Sequence, residues 1–135
     1  HLVDANYVVI ACGGGGIPVI ENEKNYLVGV EAVIDKDLAS GMLASGLGVD
    51  LFIISTSVDK VAINFGKKKE TWLDRMTLAE AKTFYDSGEF DLGSMGPKVQ
   101  AMIQYLEAGG KKGLIIQPEK LGLALQGKSG TVFEV

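Results

Sequence analysis

Two lysines and an aspartate stand where a chain could handle an anion. Lys36 lies between Asp35 and Asp37, at the junction of an apolar strand and a helix. Lys98 follows Gly96-Pro97 in the first turn of another helix. A cation there opposes the helix dipole and is mildly unfavourable, which a sequence tolerates when the lysine serves an anionic ligand. Asp37 fits two roles: an N-cap accepting from helix amides, or a carboxylate holding a lysine ammonium in place. The plainer reading of either lysine alone is a solvated surface charge. Glycine adds a third feature. Gly13 to Gly16 follow the apolar run 7–12. Without a Cβ they let backbone approach backbone or ligand closely, and the carboxyl end of a parallel strand is where α/β proteins bind ligands. The stretch 92–97 is also glycine-rich. It suits a loop packed on a flat ligand, or a tight turn between helices.

These residues need elements to position them. The runs 7–12, 51–55 and 113–117 are apolar without alternation, as strands covered on both faces are. The expectation is that they are parallel neighbours in one sheet. Residues 61–63 predict a short edge strand before the polar turn at Gly66 to Lys69, whose lysines form a solvated hairpin tip. Leu38, Met42, Leu43 and Leu47 recur at helical spacing after Asp37, and Gly46 and Gly48 end that helix. Thr77-Leu78-Ala79-Glu80 has the spacing of a capping box, so a helix runs from Thr77 to about Ser87. Gly96-Pro97 opens another, with proline at the first helical position and Val99, Met102, Ile103 and Leu106 on its core face. A short helix begins at Pro118, and a last strand covers 131–135. Strands alternating with helices predict α/β architecture with a mainly parallel sheet.

The chain has 135 residues, enough for one domain with a sizeable core. It is 47% hydrophobic and 22% charged, with net charge −4. That balance argues against nucleic acid, which needs a clustered basic face. No apolar stretch approaches a membrane span, and no signal-peptide pattern opens the sequence. The single cysteine, Cys12, and single histidine, His1, exclude an internal disulfide and a Cys/His zinc site. Histidine-based triads are nearly excluded too. Residues 122–129 fit the phosphate-loop pattern GxxxxGK(S/T). That loop needs a strand before it and a helix after it. Here the interior is helix-forming Leu-Ala-Leu-Gln, and a strand follows, so the match is accidental. The dinucleotide pattern GxGxxG fails as well, because its last position falls on Pro18.

Four segments carry a family resemblance: VVIACGGGGIPVI (8–20), GVEAVIDKDLAS (29–40), VDKVAINFGK (58–67) and GSMGPKVQA (93–101). Together they resemble the C-terminal half of the carbamate kinases, within the amino-acid kinase family. The ending LQGKSGTVFEV (125–135) is similar to that family's C-terminus. The second and fourth segments are specific. GGGGIPVI with EAVIDKD separates this branch from acetylglutamate, aspartate and uridylate kinases.

The resemblance implies a three-layer α/β/α sandwich. It implies reversible transfer of the γ-phosphoryl of ATP to carbamate, with Mg²⁺, giving carbamoyl phosphate and ADP. Run backward, the reaction makes ATP in fermentative arginine breakdown. Carried over residue by residue, Lys36 would contact the transferring phosphoryl or the nucleotide phosphates, Asp37 would position the lysines, and Lys98 would bind nucleotide phosphates. Thr56, Ser57, Val58, Phe65, Gly93, Ser94 and Met95 would lie around the nucleotide, and Gly13 and Gly14 would line the acceptor side. No residue is assigned to metal. The family's chains are roughly twice as long, so residues 1–135 read as the C-terminal nucleotide-binding part, with the N-terminal half absent. The expected setting is a cytoplasmic homodimer with no membrane or nucleic-acid partner, and the 135 residues alone are expected not to turn over. Alternatives are a non-catalytic nucleotide-binding module, another amino-acid kinase, or, lowest, a Rossmann-type oxidoreductase domain.

Overall fold

Strands β3 (Phe52–Ser55) and β7 (Lys112–Ile116) run side by side and parallel, with Phe52 opposite Gly113 and Ser55 opposite Ile116. They form half of a four-stranded sheet in the computed structural model, which describes residues 1–11 and 13–135. Strand β8 (Thr131–Glu134) lies antiparallel to β7, and β6 (Arg75–Thr77) lies parallel to β8 at the far edge. The order is β3-β7-β8-β6. The sheet is therefore mixed, and mostly parallel.

The two faces follow from alternation along each strand. Phe52, Ile54, Ile115, Phe133 and Met76 point into the main core. Three helices cover that side: α1 (Lys36–Leu47), α2 (Leu78–Asp86) and α3 (Met95–Glu107). From α3 come Val99, Ala101 and Met102, all fully buried. Ile53, Leu114, Ile116 and Val132 point the other way, under the short helix α4 (Leu121–Ala124) that follows a 3₁₀ turn at Pro118–Lys120. Helices thus lie on both faces, as expected. Two hairpins stand outside the sheet: β1 (Val19–Glu21) with β2 (Leu27–Gly29), and β4 (Val61–Ile63) with β5 (Thr71–Leu73).

Several expectations need correction. Residues 7–11 form no strand, and Val8 and Ile10 are each 98% exposed. Apolar residues form a buried strand only where a partner ladder and a covering layer exist, and none of the described strands pairs with them. Residues 30–34 likewise form no strand before α1. Cys12, the end of the first run, lies outside the described residues. In α1 the helical spacing holds, but of its apolar stripe only Leu38 packs against the core. The buried positions are Asp37, Gly41 and Ala44, while Met42, Leu43 and Leu47 are exposed. Gly41 sits over Ala101 of α3, where a Cβ would meet the Ala101 carbonyl at 3.2 Å. Small residues on α1 thus let the two helices close up. Asp35, not Asp37, is the N-cap of α1: its carboxylate accepts from the amides of Asp37 at 2.8 Å and Leu38 at 3.0 Å. Helix α3 begins at Met95 with Ser94 as N-cap. Pro97 is therefore its third residue rather than its first, still within the turn where a missing N–H costs nothing.

Candidate functional site

A cleft of about 410 Å³ opens beyond the carboxyl end of β3. Three pieces of chain wall it. The connection leaving β3 contributes Thr56, Ser57, Val58 and Lys60, continuing to Ala62 of β4. The β4–β5 hairpin contributes Phe65 and Trp72, which meet edge to face with centroids 6.0 Å apart and planes at 87°. The passage from α2 into α3 contributes Glu89, Phe90 and Asp91, then Ser94, Met95 and Lys98. A ligand crevice past the ends of parallel strands is where open α/β sheets bind.

Charge is arranged at one end. Asp37, 7% exposed, receives two ammonium groups on its Oδ2: Lys98 Nζ at 2.9 Å and Lys36 Nζ at 3.3 Å. Lys98 reaches from the first turn of α3 and also donates to the Ser94 carbonyl at 3.4 Å. Its side chain is 13% exposed, whereas that of Lys36 is 61% exposed. The geometry follows from the capping. Asp35 fixes the start of α1, so Asp37 in its first turn faces α3. Of the two roles open to Asp37, the structure realises the lysine holder.

The first turn of α3 is free of a side-chain cap bond. Ser94 donates its hydroxyl to Asp91 Oδ1 at 2.9 Å instead, and the Gly93 amide donates to the same oxygen at 3.1 Å. Gly96 N–H closes on the Asp91 carbonyl at 2.7 Å. Asp91 thus folds the glycine-rich loop and takes the Gly96 amide of the first turn of α3, while Ser94 and Met95 lie on the cleft. With the Gly96 amide bonded and no N–H on Pro97, the group of this turn that attracts an anion is the Lys98 ammonium, at the positive end of the helix dipole. Glu89 accepts the Asn64 amide at 2.8 Å and ties the hairpin to the loop before α3. Lys60 donates a hydrogen bond to the Asp74 carboxylate, and chiefly this bond holds its pKa above the ordinary lysine value.

The sequence-predicted residues separate clearly. Thr56, Ser57, Val58, Phe65, Ser94, Met95 and Lys98 line one cleft. Lys36 and Asp37 join it through Lys98. Gly93 belongs to the Asp91 turn and does not line the cleft. Gly13 and Gly14 are exposed and do not line it either. Their neighbour Gly15 lies against the chain just before Lys36: a Cβ there would meet the Ile34 carbonyl at 2.5 Å. Sequence reasoning missed Lys60, Ala62, Trp72, Glu89, Phe90 and Asp91. Trp72 becomes visible only through pairing, since β4–β5 register sets it opposite Ala62. The phosphate-loop match is indeed accidental: residues 121–124 are helical, and Lys128 Nζ turns to Gln126 at 3.0 Å.

The fold and this cleft define a class, and comparison with known proteins agrees. The amino acid kinase family matches residues 1–117, so the chain belongs to that family. Within it, the carbamate kinase of Thermococcus kodakarensis is 51% identical over 130 residues, which cover 96% of this chain and 41% of that protein. A carbamate kinase-like protein of Escherichia coli is 52% identical over 133 residues, 98% of this chain and 43% of that protein. The solved carbamate kinase from Giardia lamblia bound to AMP-PNP superposes with a TM-score of 0.91 at 42% identity, over 98% of this chain and 42% of that one. The chain thus spans about two fifths of the length of these relatives.

Proposed function

We propose that the cleft binds an adenine nucleotide and that the protein transfers phosphoryl groups reversibly between ATP and carbamate, giving carbamoyl phosphate and ADP. The observation that carries the reading is Lys98. It stands in the first turn of α3, on the cleft, with its ammonium anchored by buried Asp37. An ammonium has three donors. Asp37 and the Ser94 carbonyl take two, leaving one for a phosphate oxygen. Phosphoryl transfer asks little beyond positioning and neutralisation of charge on phosphate oxygens. Lys36, more exposed and on the same carboxylate, is placed to meet the transferring group. Asp37 fixes the separation of the two cations. Phe65 and Trp72 offer apolar and aromatic surface for the nucleoside, with Thr56, Ser57 and Val58 opposite. Similarity to a kinase solved with AMP-PNP supports the nucleotide, and similarity to two proteins named for carbamate supports the acceptor.

Magnesium accompanies the nucleotide in this reading, where it would screen the phosphate charge. Among the described residues no three His, Cys, Asp or Glu side chains gather as a metal site. Asp37 has its Oδ2 shared by two ammonium groups. These residues do not make a magnesium site. The reading also includes a cytoplasmic homodimer working in arginine breakdown, supported by the family resemblance. No helix among the described residues is long and apolar enough to cross a membrane. For the 135 residues by themselves we propose binding without turnover, because Gly13 and Gly14, the acceptor side, stand exposed away from the cleft.

The test is calorimetric titration of the full-length protein with ADP, then an assay of ATP formed from ADP and carbamoyl phosphate. Micromolar-range binding and ATP formation are expected. Binding without ATP formation would leave a non-catalytic nucleotide module. ATP formation only from a different acyl phosphate would place the protein with another amino-acid kinase.

A further inference from the structure

Residues 56–62 cross one wall of the cleft, and Asp59 and Val61 are the two that do not line it. Both are held from behind by the chain beyond β7. Asp59 gives one carboxylate oxygen to the Ser129 hydroxyl at 2.6 Å and the other to Lys120 Nζ at 2.9 Å. The Val61 amide donates to Thr131 Oγ1 at 2.8 Å, and that hydroxyl donates to the Leu73 carbonyl at 2.5 Å. At the near end the Thr56 amide donates to the Ile116 carbonyl at 2.9 Å, and Gln117 Nε2 donates to the Ser57 carbonyl at 2.8 Å. None of the four side chains that make these ties from 117–131 lines the cleft itself. Between the two sets of backbone ties, the bend at 57–60 belongs to no strand. Among the described residues, Asp59 is the one side chain of that bend bonded to the chain beyond β7, and its chain neighbours Val58 and Lys60 face the cleft. Ser129 is the last residue of the phosphate-loop match, and the hydroxyl that would meet the magnesium ion in such a loop is committed to Asp59.

We propose that Asp59, clamped by Ser129 and Lys120, is a positioning residue for the nucleotide. It sets Val58 and Lys60 at a fixed distance across the cleft from Phe65 and Trp72. The inference rests on the nucleotide reading of that cleft. Among the described residues this wall shares no hydrogen bond or ion pair with Asp37, Lys36 or Lys98, so loosening it changes nucleotide affinity and leaves the chemical step alone.

The experiment compares Ser129→Ala, Lys120→Ala and Lys128→Ala with wild type in the full-length protein, measuring ADP affinity, KM for ADP, kcat and Tm. Loss of a clamp bond should weaken ADP binding and raise its KM by about three- to tenfold, with kcat at saturating ADP within about twofold of wild type. Lys128→Ala should match wild type throughout. The Lys120 side chain is 42% exposed, so that variant carries the test if Ser129→Ala fails to fold. Unchanged ADP affinity and KM in the folded variants, even with lowered Tm, would overturn the positioning role while the nucleotide reading stands. A wild-type protein that binds no ADP would overturn the nucleotide reading, and this inference with it.

Discussion

Asp35 and Asp37 stand two residues apart and serve different ends. Asp35 caps α1; Asp37 holds Lys98 and Lys36. Asparagine caps about as well as aspartate, so Asp35→Asn should change stability by less than about 0.5 kcal/mol and leave the rate unchanged. Asp37→Asn removes the charge that positions two cations. It should cut turnover about a hundredfold or more, the scale of disturbed preorganised electrostatics. Lys36→Ala should lose a similar amount, and the two defects should not add, because the residues act as a unit. Lys98→Ala should weaken ADP binding by roughly 1.5–3 kcal/mol, the range for hydrogen bonds to charged groups. Calorimetry and steady-state rates check each value, and normal turnover in Asp37→Asn would remove the positioning role. A pH effect follows from Asp59. The Ser129 hydroxyl is the main cause that holds its pKa below the ordinary 3.8; partial burial opposes this, and Lys120 adds to it. A depressed carboxylate stabilises the fold fully above its unfolded pKa. That contribution is lost as pH falls through the lower folded value. Asp59→Asn should therefore flatten the acid limb of stability below about pH 4, read as urea midpoints at pH 3 against pH 7; an unchanged slope would refute it.

Elements were legible where the signal was local. The capping box at Thr77 forms as its spacing requires, with Thr77 Oγ1 accepting the Glu80 amide at 3.3 Å and Glu80 Oε2 accepting the Thr77 amide at 2.8 Å. Thr77→Ala should cost about 1 kcal/mol, measured by urea unfolding. Strands β3, β7 and β8 were equally plain, being short apolar runs between turn residues. The orientation of α1 was not. Its stripe of Met42, Leu43 and Leu47 has helical spacing, yet glycine and alanine face α3, because close helix contact selects small residues over large ones. Half of the cleft was legible by family motif: Thr56 to Val58, Phe65, Ser94, Met95 and Lys98. The rest depended on pairing and loop closure, which a linear pattern does not carry. Gly113 shows the same dependence. It sits in the middle of the sheet with Met102 directly over it, and a Cβ would overlap the Met102 sulfur and stand 3.5 Å from Phe133 Cβ. Gly113→Ala should destabilise by about 1–3 kcal/mol, the usual cost of overpacking. A neutral result would mean that Met102 swings aside.

On the scale of the whole molecule, order is unevenly spread. Residues 36–135 hold the whole buried core, whereas residues 1–34 contribute no buried residue among those described. Four large apolar side chains in that first part are almost bare: Val8 and Ile10 at 98%, Val33 at 94% and Ile17 at 86%. The exposed α1 residues Met42, Leu43 and Leu47 add to the apolar surface. Burial is the main favourable contribution to folding, so a segment with no fully buried residue among those described adds little to global stability. Local opening there should need almost no free energy, while opening β7 should need nearly the full unfolding free energy. Hydrogen exchange on the 135-residue chain tests this directly. Amides of 7–11 should exchange within seconds at neutral pH, and those of 113–116 should be protected by a factor of about a thousand or more. Val8→Thr and Ile10→Thr in the same chain should shift the unfolding midpoint by less than about 0.5 kcal/mol, as surface changes do. Slow exchange at 7–11, or a loss of more than about 1 kcal/mol from either substitution, would show that this run is paired and covered in solution.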